Sequence, residues 1–363
     1  MICYPSHARP PSVQAFLEDI GILARPVSMN SAAKYPHGAG GVSVLVPTYQ
    51  HVRYIEQCLD GILMQRTSFP VEVLVGEDES ADGTREICQR YAARYPDRIR
   101  LFLRERKDVI HIHGRPTGRS NFLRLLAEAR GDHVAICEGD DYWTDPLKLQ
   151  RQVEAMRSNE HWSACFHQVS LRFEAEPHEA GRVFPPGPMS VEYRTEDLLR
   201  PWFIPTCSLL FKRSSCADLP PWTRTTLSLD IPLILLSSLT GPIGLVEGVM
   251  GVYRIHGSGV SRNPEHHGYD KVRAMAYIYE LFNVHTGYRY NDRIREAFVA
   301  EINAHLPEVK ELNRMRTTMK ESITVLDRVY YLLWVRLPFM RGALDRVFRR
   351  KKSRSTVPAS MGS

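Results

Sequence analysis

From Val42 onward, short apolar runs alternate with segments of helical period. Val42-Ser43-Val44-Leu45-Val46 reads as a buried strand, and after Pro47-Thr48-Tyr49 the apolar positions Ile55, Leu59, Ile62 and Leu63 recur at helical spacing. The unit then repeats. Val71 to Val75 predicts a strand, Gly76 to Thr84 a polar loop, Arg85 to Tyr95 a helix and Ile99 to Leu103 a third strand. A loop from Lys107 to Gly118, rich in His, Gly and Pro, leads to a helix over Ser120 to Ala129 and a strand over His133 to Cys137. Strands alternating with helices predict an α/β fold with a mostly parallel sheet flanked by helices. Crossover handedness lines up the loops after the strands along one edge, and ligands bind at that carboxyl edge. Function is therefore expected in Pro47 to Gln50, Gly76 to Thr84 and Glu138 to Asp141.

Beyond a helix expected to begin near Asp145, Ala164 to Phe173 and Cys207 to Phe211 read as strands of a second, mixed portion. Leu227 to Leu239 predicts a helix, Gly244 to Ile255 one or two strands, and helical patterns dominate from Tyr269. Pro5, Pro10, Pro11, Pro26 and Pro36, followed by Gly38-Ala39-Gly40-Gly41, predict a poorly ordered leader over residues 1–40. A catalytic domain is then expected over 41–262, and a helical extension with a basic tail over 263–363.

Charge sharpens this division. The chain of 363 residues carries 47 Lys+Arg against 41 Asp+Glu, a net of +6. Arg346, Arg349, Arg350, Lys351, Lys352 and Arg354 account for that excess. The basicity belongs to the tail, so a nucleic-acid-binding body is disfavoured. Upstream of this cluster Val325, Val329, Leu332, Leu333, Leu337, Met340 and Leu344 recur at near-helical intervals. The pattern suits a helix lying in a membrane surface with its cations on anionic lipid, and suits equally a helix packed on the domain. Seven cysteines, an odd number without C-x-x-C, indicate neither a disulfide framework nor a zinc ribbon and fit a reducing compartment. No secretory signal is recognisable, and the apolar stretches fall short of the roughly 20 residues of a spanning helix. The expected location is cytoplasmic, with peripheral contact at the inner face of the membrane through the tail.

Two acidic clusters carry the candidate chemistry. Glu138-Gly139-Asp140-Asp141 follows a buried strand directly, and three carboxylates in four residues repel one another unless a cation neutralises them. An oxygen-only set suits Mg²⁺ or Mn²⁺, and a solvated acidic turn is the plainer alternative. Glu77-Asp78-Glu79-Ser80-Ala81-Asp82-Gly83-Thr84 also follows a strand and opens a helix. Asp82 suits a helix cap and Gly83 a tight turn, whereas an acid directly after the strand suits a base N–H or a ribose hydroxyl. His111 and His113 share strand spacing but have only Asp108 nearby, so both are read as ordinary loop residues, as are His266 and His267.

Strand-Pro-Thr-Tyr, then strand-acidic pair-x-Ser-x-Asp-Gly-Thr, then strand-acid-x-Asp-Asp resembles the family 2 glycosyltransferases with the GT-A fold, over Val42 to Ser261. Leu229-Asp230 and Tyr253-Arg254-x-His256 are similar to the family's acceptor-side acid and its C-terminal His segment. The resemblance implies that Pro47, Thr48 and Tyr49 line a nucleotide pocket, with Asp78 on the base and Arg119 and Asn121 near the nucleotide or diphosphate. It further implies Glu138 and Gly139 near the ribose, Asp140 and His256 as ligands of Mn²⁺ or Mg²⁺, and Asp230 as general base. Glu77, Glu138, Gln50 and Leu229 depart from the residues usual at these positions.

The implied activity is inverting, metal-dependent transfer of a sugar from a nucleotide-diphosphate donor to a hydroxyl of a glycan or lipid-linked glycan. The alternatives are a catalytically inactive nucleotide-binding scaffold of the same fold and a sugar-phosphate nucleotidyltransferase. The latter would favour a Gly-rich loop where Pro47-Thr48-Tyr49-Gln50-His51 stands.

Overall fold

In the computed structural model the described residues are 41–112, 114–175, 181–216, 218–257, 259 and 268–306. The expected leader, most of the basic extension, His113, His266 and His267 lie outside them. Up to His305 the described residues belong to one compact unit.

The first half follows the predicted alternation. Strand β1 (Val42–Thr48) leads to helix α1 (Ile55–Leu63), β2 (Val71–Glu77) to α2 (Thr84–Arg94), and β3 (Ile99–Leu103) to the short pair β4 (His111–Ile112) and β5 (Arg115–Pro116). Helix α3 (Arg119–Glu128) then precedes β6 (His133–Ile136). β1 lies parallel between β2 and β6, and β3 extends the sheet beyond β2. β1 is apolar on both faces because helices cover both: Val44 and Val46 pack in one core with Ile55, Leu59 and Ile62 of α1, while Leu45 faces Leu125 of α3.

After β7 (Tyr142–Trp143) and α4 (Lys148–Ser158) the sheet becomes mixed. It gains β8 (Ala164–Phe173), β9 (Arg182–Phe184), β10 (Glu192–Tyr193), β11 (Leu210–Lys212) and the long β12 (Ile243–Ile255). β11 inserts antiparallel between β6 and β8, whereas β12 runs parallel to β8 and receives β7 antiparallel on its other part. The path is β10-β12-β8-β11-β6-β1-β2-β3, so β6 sits between the parallel and the mixed halves. Cys207, expected in a strand, falls instead in a 3₁₀ turn over Thr206–Ser208.

Short α5 (Thr195–Leu198) and α6 (Asp230–Ser238) complete the mixed half. Helices α7 (Gly268–His285) and α8 (Asn291–His305) contribute Met275, Phe282 and Ile294, and the turn between them Tyr290, to a core shared with Ile136, Phe166 and Ile234. No helix among the described residues is long and apolar enough to cross a membrane.

Candidate functional site

The loops after β1, β2 and β6 meet at the carboxyl edge of the sheet, and the first two are laced together. Three successive backbone N–H groups of the β1 loop donate to the β2 loop and the start of α2: Gln50 to Ser80 Oγ at 2.9 Å, His51 to Thr84 Oγ1 at 2.9 Å and Val52 to Asp82 Oδ2 at 3.0 Å. The other Asp82 oxygen accepts from the Thr84 N–H at 3.0 Å in an Asx turn, while the N-cap position itself falls to Gly83 rather than to Asp82 as expected. The spacing Ser-x-Asp-x-Thr thus holds a neighbouring loop as well as starting a helix, and it helps keep Gln50 at φ 57°, a left-handed conformation unusual for a non-glycine residue. Glu77 is fully buried, accepts from the Ser80 N–H at 2.6 Å and pairs with Arg85.

Asp78, the next acid, is also buried and sits at the junction of the β1 and β2 loops. Its own N–H donates to the Thr48 carbonyl at 3.1 Å, and its carboxylate is 3.1 Å from Arg106 Nη1. Burial pushes the Asp78 carboxyl above its usual range and Arg106 opposes the shift. The same guanidinium lies over the Tyr49 ring, 4.1 Å from its centroid. Neither Arg106 nor its contact with Tyr49 was marked by the sequence motif.

Arg119 and Asn121 are buried and engaged with the chain itself. The Arg119 guanidinium donates to the carbonyls of Thr223 and Thr226, bracing the segment that leads into α6. Burial brings its pKa down to about 10, with Asp230 opposing. Asn121 donates to the Gly76 carbonyl at 2.7 Å, beneath the end of β2, where a Cβ on residue 76 would lie 2.0 Å from Asn121 Oδ1.

The β6 loop has the opposite character. Asp140 Oδ2 lies 3.0 Å from His256 Nε2, at the end of β12, and 3.8 Å from His51 Nε2, in the β1 loop. His51 Nδ1 in turn contacts Thr48 Oγ1 at 3.2 Å. Burial raises the Asp140 carboxyl, but the two imidazoles outweigh it and hold the group below its ordinary range. Asp141 is buried and accepts the Arg254 N–H at 2.8 Å, yet burial with Asp140 and Glu138 alongside pushes its pKa well up. Burial, Asp140 and Asp230 likewise push Glu138 up to about 8, and Glu138 Oε2 is buried without a hydrogen-bond partner. Gly139 is obligatory, because a Cβ there would stand 2.4 Å from Thr48 Oγ1 and 2.8 Å from His51 Nδ1.

Asp230 opens α6 on the other flank, following the braced 223–226 segment, with Thr206 Oγ1 3.5 Å from its carboxylate. Its position as the first helical residue is favourable to the helix dipole. It is near enough to Glu138 and Arg119 to influence both electrostatically.

Among the described residues, no three His, Cys, Asp or Glu side chains converge into a closed metal cage. The adjacent Asp140 and His256 fit a different kind of centre, an ion held by two protein ligands and completed by phosphate oxygens and water. The orphaned Glu138 Oε2 is a further oxygen donor beside them.

Comparison with known proteins identifies the family and the fold. The family model described as glycosyl transferase family 2 matches residues 43–216. An uncharacterized protein of Mycobacterium tuberculosis is 34% identical over 317 residues, spanning 83% of this chain and 86% of its own. An uncharacterized glycosyltransferase of Nostoc sp. is 25% identical over 223 residues, spanning 60% and 65%. Among solved structures, a mannosyltransferase from Pyrobaculum calidifontis in complex with GDP-Man and Mn²⁺ superposes with a TM-score of 0.52 at 17% identity, covering 85% of this chain and 84% of that one. S. aureus TarS 1–349 in complex with UDP-GlcNAc gives 0.51 at 18% identity, covering 73% of each chain.

Proposed function

This chain belongs to glycosyl transferase family 2, and from that membership and the arrangement around Asp140 we propose that it catalyses inverting, metal-dependent transfer of a sugar to a hydroxyl of a glycan or lipid-linked glycan. The observation that carries the proposal is the order of groups along the sheet edge. Tyr49 and Asp78 stand on the parallel side, Asp140 with His256 at the centre, and Asp230 beyond β6 on the mixed side.

On this reading Pro47, Thr48 and Tyr49 line the nucleoside pocket and Asp78 accepts a hydrogen bond from the base, while Glu138 and Gly139 adjoin the ribose. Arg119 and Asn121 serve that pocket by bracing the loops around it. Asp140 and His256 would hold Mn²⁺ or Mg²⁺, whose charge would offset that of a leaving diphosphate. Asp230 takes the proton from the acceptor hydroxyl as its oxygen attacks the anomeric carbon, while the bond to the diphosphate breaks on the opposite face. GDP-Man and UDP-GlcNAc, seen in the two structural relatives, make guanosine and uridine donors the first to test.

The test is binding and hydrolysis of UDP-, dTDP- and GDP-sugars with and without Mn²⁺, comparing wild type with Asp140→Ala and Asp230→Asn. One donor should bind with metal, Asp140→Ala should lose that binding, and Asp230→Asn should bind without turnover. Turnover unaffected by Asp230→Asn overturns the assignment of the base. Binding without any turnover of donor or acceptor supports the scaffold reading instead.

A further inference from the structure

We infer that Arg254 is a positioning residue that holds the Asp140-Asp141 turn in place, through a fork of bonds to three separate parts of the fold. The inference rests on the reading of Asp140 as a metal ligand and extends it to a residue that touches neither nucleotide nor metal.

Arg254 is buried near the end of β12, two residues before His256. Its backbone N–H donates to Asp141 Oδ1 at 2.8 Å and its Nε to the Asp140 carbonyl at 2.7 Å. Nη2 donates to Gln57 Oε1 on α1 at 2.7 Å, and Nη1 pairs with Glu174, just after β8. The rings of Tyr54 and Tyr142 lie 4.6 and 5.0 Å from the guanidinium carbon, confining its plane. The Glu174 N–H donates to the Ile255 carbonyl at 3.0 Å, so the carboxylate that receives the fork is itself tied to β12.

The physical need is plain. Asp140 and Asp141 lie in a turn beyond the end of β6, where no ladder bond fixes the backbone, and neighbouring carboxylates push the turn open. A guanidinium offers donors in a rigid planar fork, so a main-chain carbonyl, an amide oxygen and a carboxylate can be held at once. A lysine at this place offers one point charge and cannot span all three. By orienting the turn, Arg254 sets where the Asp140 carboxylate sits relative to His256.

The experiment measures nucleoside diphosphate affinity by calorimetry on the full chain, in Mn²⁺ and in EDTA, using UDP and GDP as probes. Thermal melting is recorded in EDTA for every variant. Arg254→Met should lose about tenfold or more of the affinity gained from Mn²⁺ while its affinity in EDTA stays within about twofold of wild type. Arg254→Lys should not restore the gain, whereas a purely electrostatic role would let it do so. Glu174→Gln and Gln57→Leu each remove one arm of the fork without opening a large cavity, and each should lose about threefold of the gain.

A folded Arg254→Met, or Arg254→Lys, with the wild-type gain overturns the inference. If Arg254→Met fails to fold, Glu174→Gln and Gln57→Leu decide, and a full gain in both overturns it. A wild-type protein that binds UDP or GDP with no gain from Mn²⁺ overturns the metal reading itself, and the role of Arg254 with it.

Discussion

The two acidic loops at the sheet edge have similar compositions and opposite internal arrangements. In the β2 loop, Glu77 and Asp82 are satisfied by Arg85 and by backbone N–H groups, and Asp78 is paired with Arg106. In the β6 loop the acids crowd one another: Glu138 and Asp141 are pushed up, and Glu138 Oε2 has no hydrogen-bond partner. Carboxylates with fixed donors build structure, whereas carboxylates left facing each other store repulsion that a cation relieves.

The comparison breaks most sharply on turnover. Asp140→Ala and Asp230→Asn are each expected to lower kcat by about 10²–10⁴. Glu138→Gln should melt no lower than wild type in EDTA, because removing one charge relieves Asp141, whereas Asp140 is held by His51 and His256. A loss of stability there would make Glu138 a structural acid like Glu77.

Glu77→Ala should show the converse. Removing it leaves the Ser80 N–H and the Arg85 Nε without an acceptor and should cost about 2–4 kcal/mol, read from the urea midpoint. An unchanged midpoint would erase the distinction between the loops.

A pH series sharpens the contrast beneath the β6 loop. Lys148 is fully buried above the Trp143 ring, 3.7 Å from its centroid, and its Nζ has no hydrogen-bond partner. Burial pulls its pKa from 10.5 down to about 7. Between those values the folded chain binds fewer protons than the unfolded one, so this group makes stability rise with pH through that window. The melting gain from Lys148→Met should be largest below pH 7 and should fade toward pH 10.5. A gain independent of pH would exclude the amine's titration as the cause. The smallest expected effect is Asp82→Ala, about 1–2 kcal/mol from the lost contacts to the Thr84 and Val52 N–H groups, measured by melting.

Much of this architecture is legible along the chain. The apolar runs at Val42, Val71 and Ile99 announce strands wherever a helix covers each face, and the acids immediately after them announce the functional edge. Asp78 and Asp140 could be singled out because each follows its strand end in a motif of fixed order. The Ser80-Asp82-Thr84 spacing was half legible: the turn ahead of the helix is local, but its hold on the loop at Gln50 to Val52 is a contact across about 30 positions.

Arg119 and Asn121 were marked by the same motif, and only their surroundings tell that they brace carbonyls of Thr223, Thr226 and Gly76. His51 and Arg106 carried no pattern of their own. His51 enters through its distance to Asp140, and Arg106 through its stacking on Tyr49.

The sequence by itself determined the long strands and helices, because burial periodicity is a property of neighbours in the chain, but not the two- and three-residue strands β4, β5, β7, β9 and β10, which exist only through their partners. It also determined that acids would gather at one edge, since right-handed crossovers allow few other arrangements of alternating strands and helices. Tertiary structure alone decided which acids are satisfied and which remain in tension. Arg254 shows why: its partners Gln57, Asp140, Asp141 and Glu174 are separated by up to 197 positions, and a hydrogen bond depends on ångströms rather than on order along the chain.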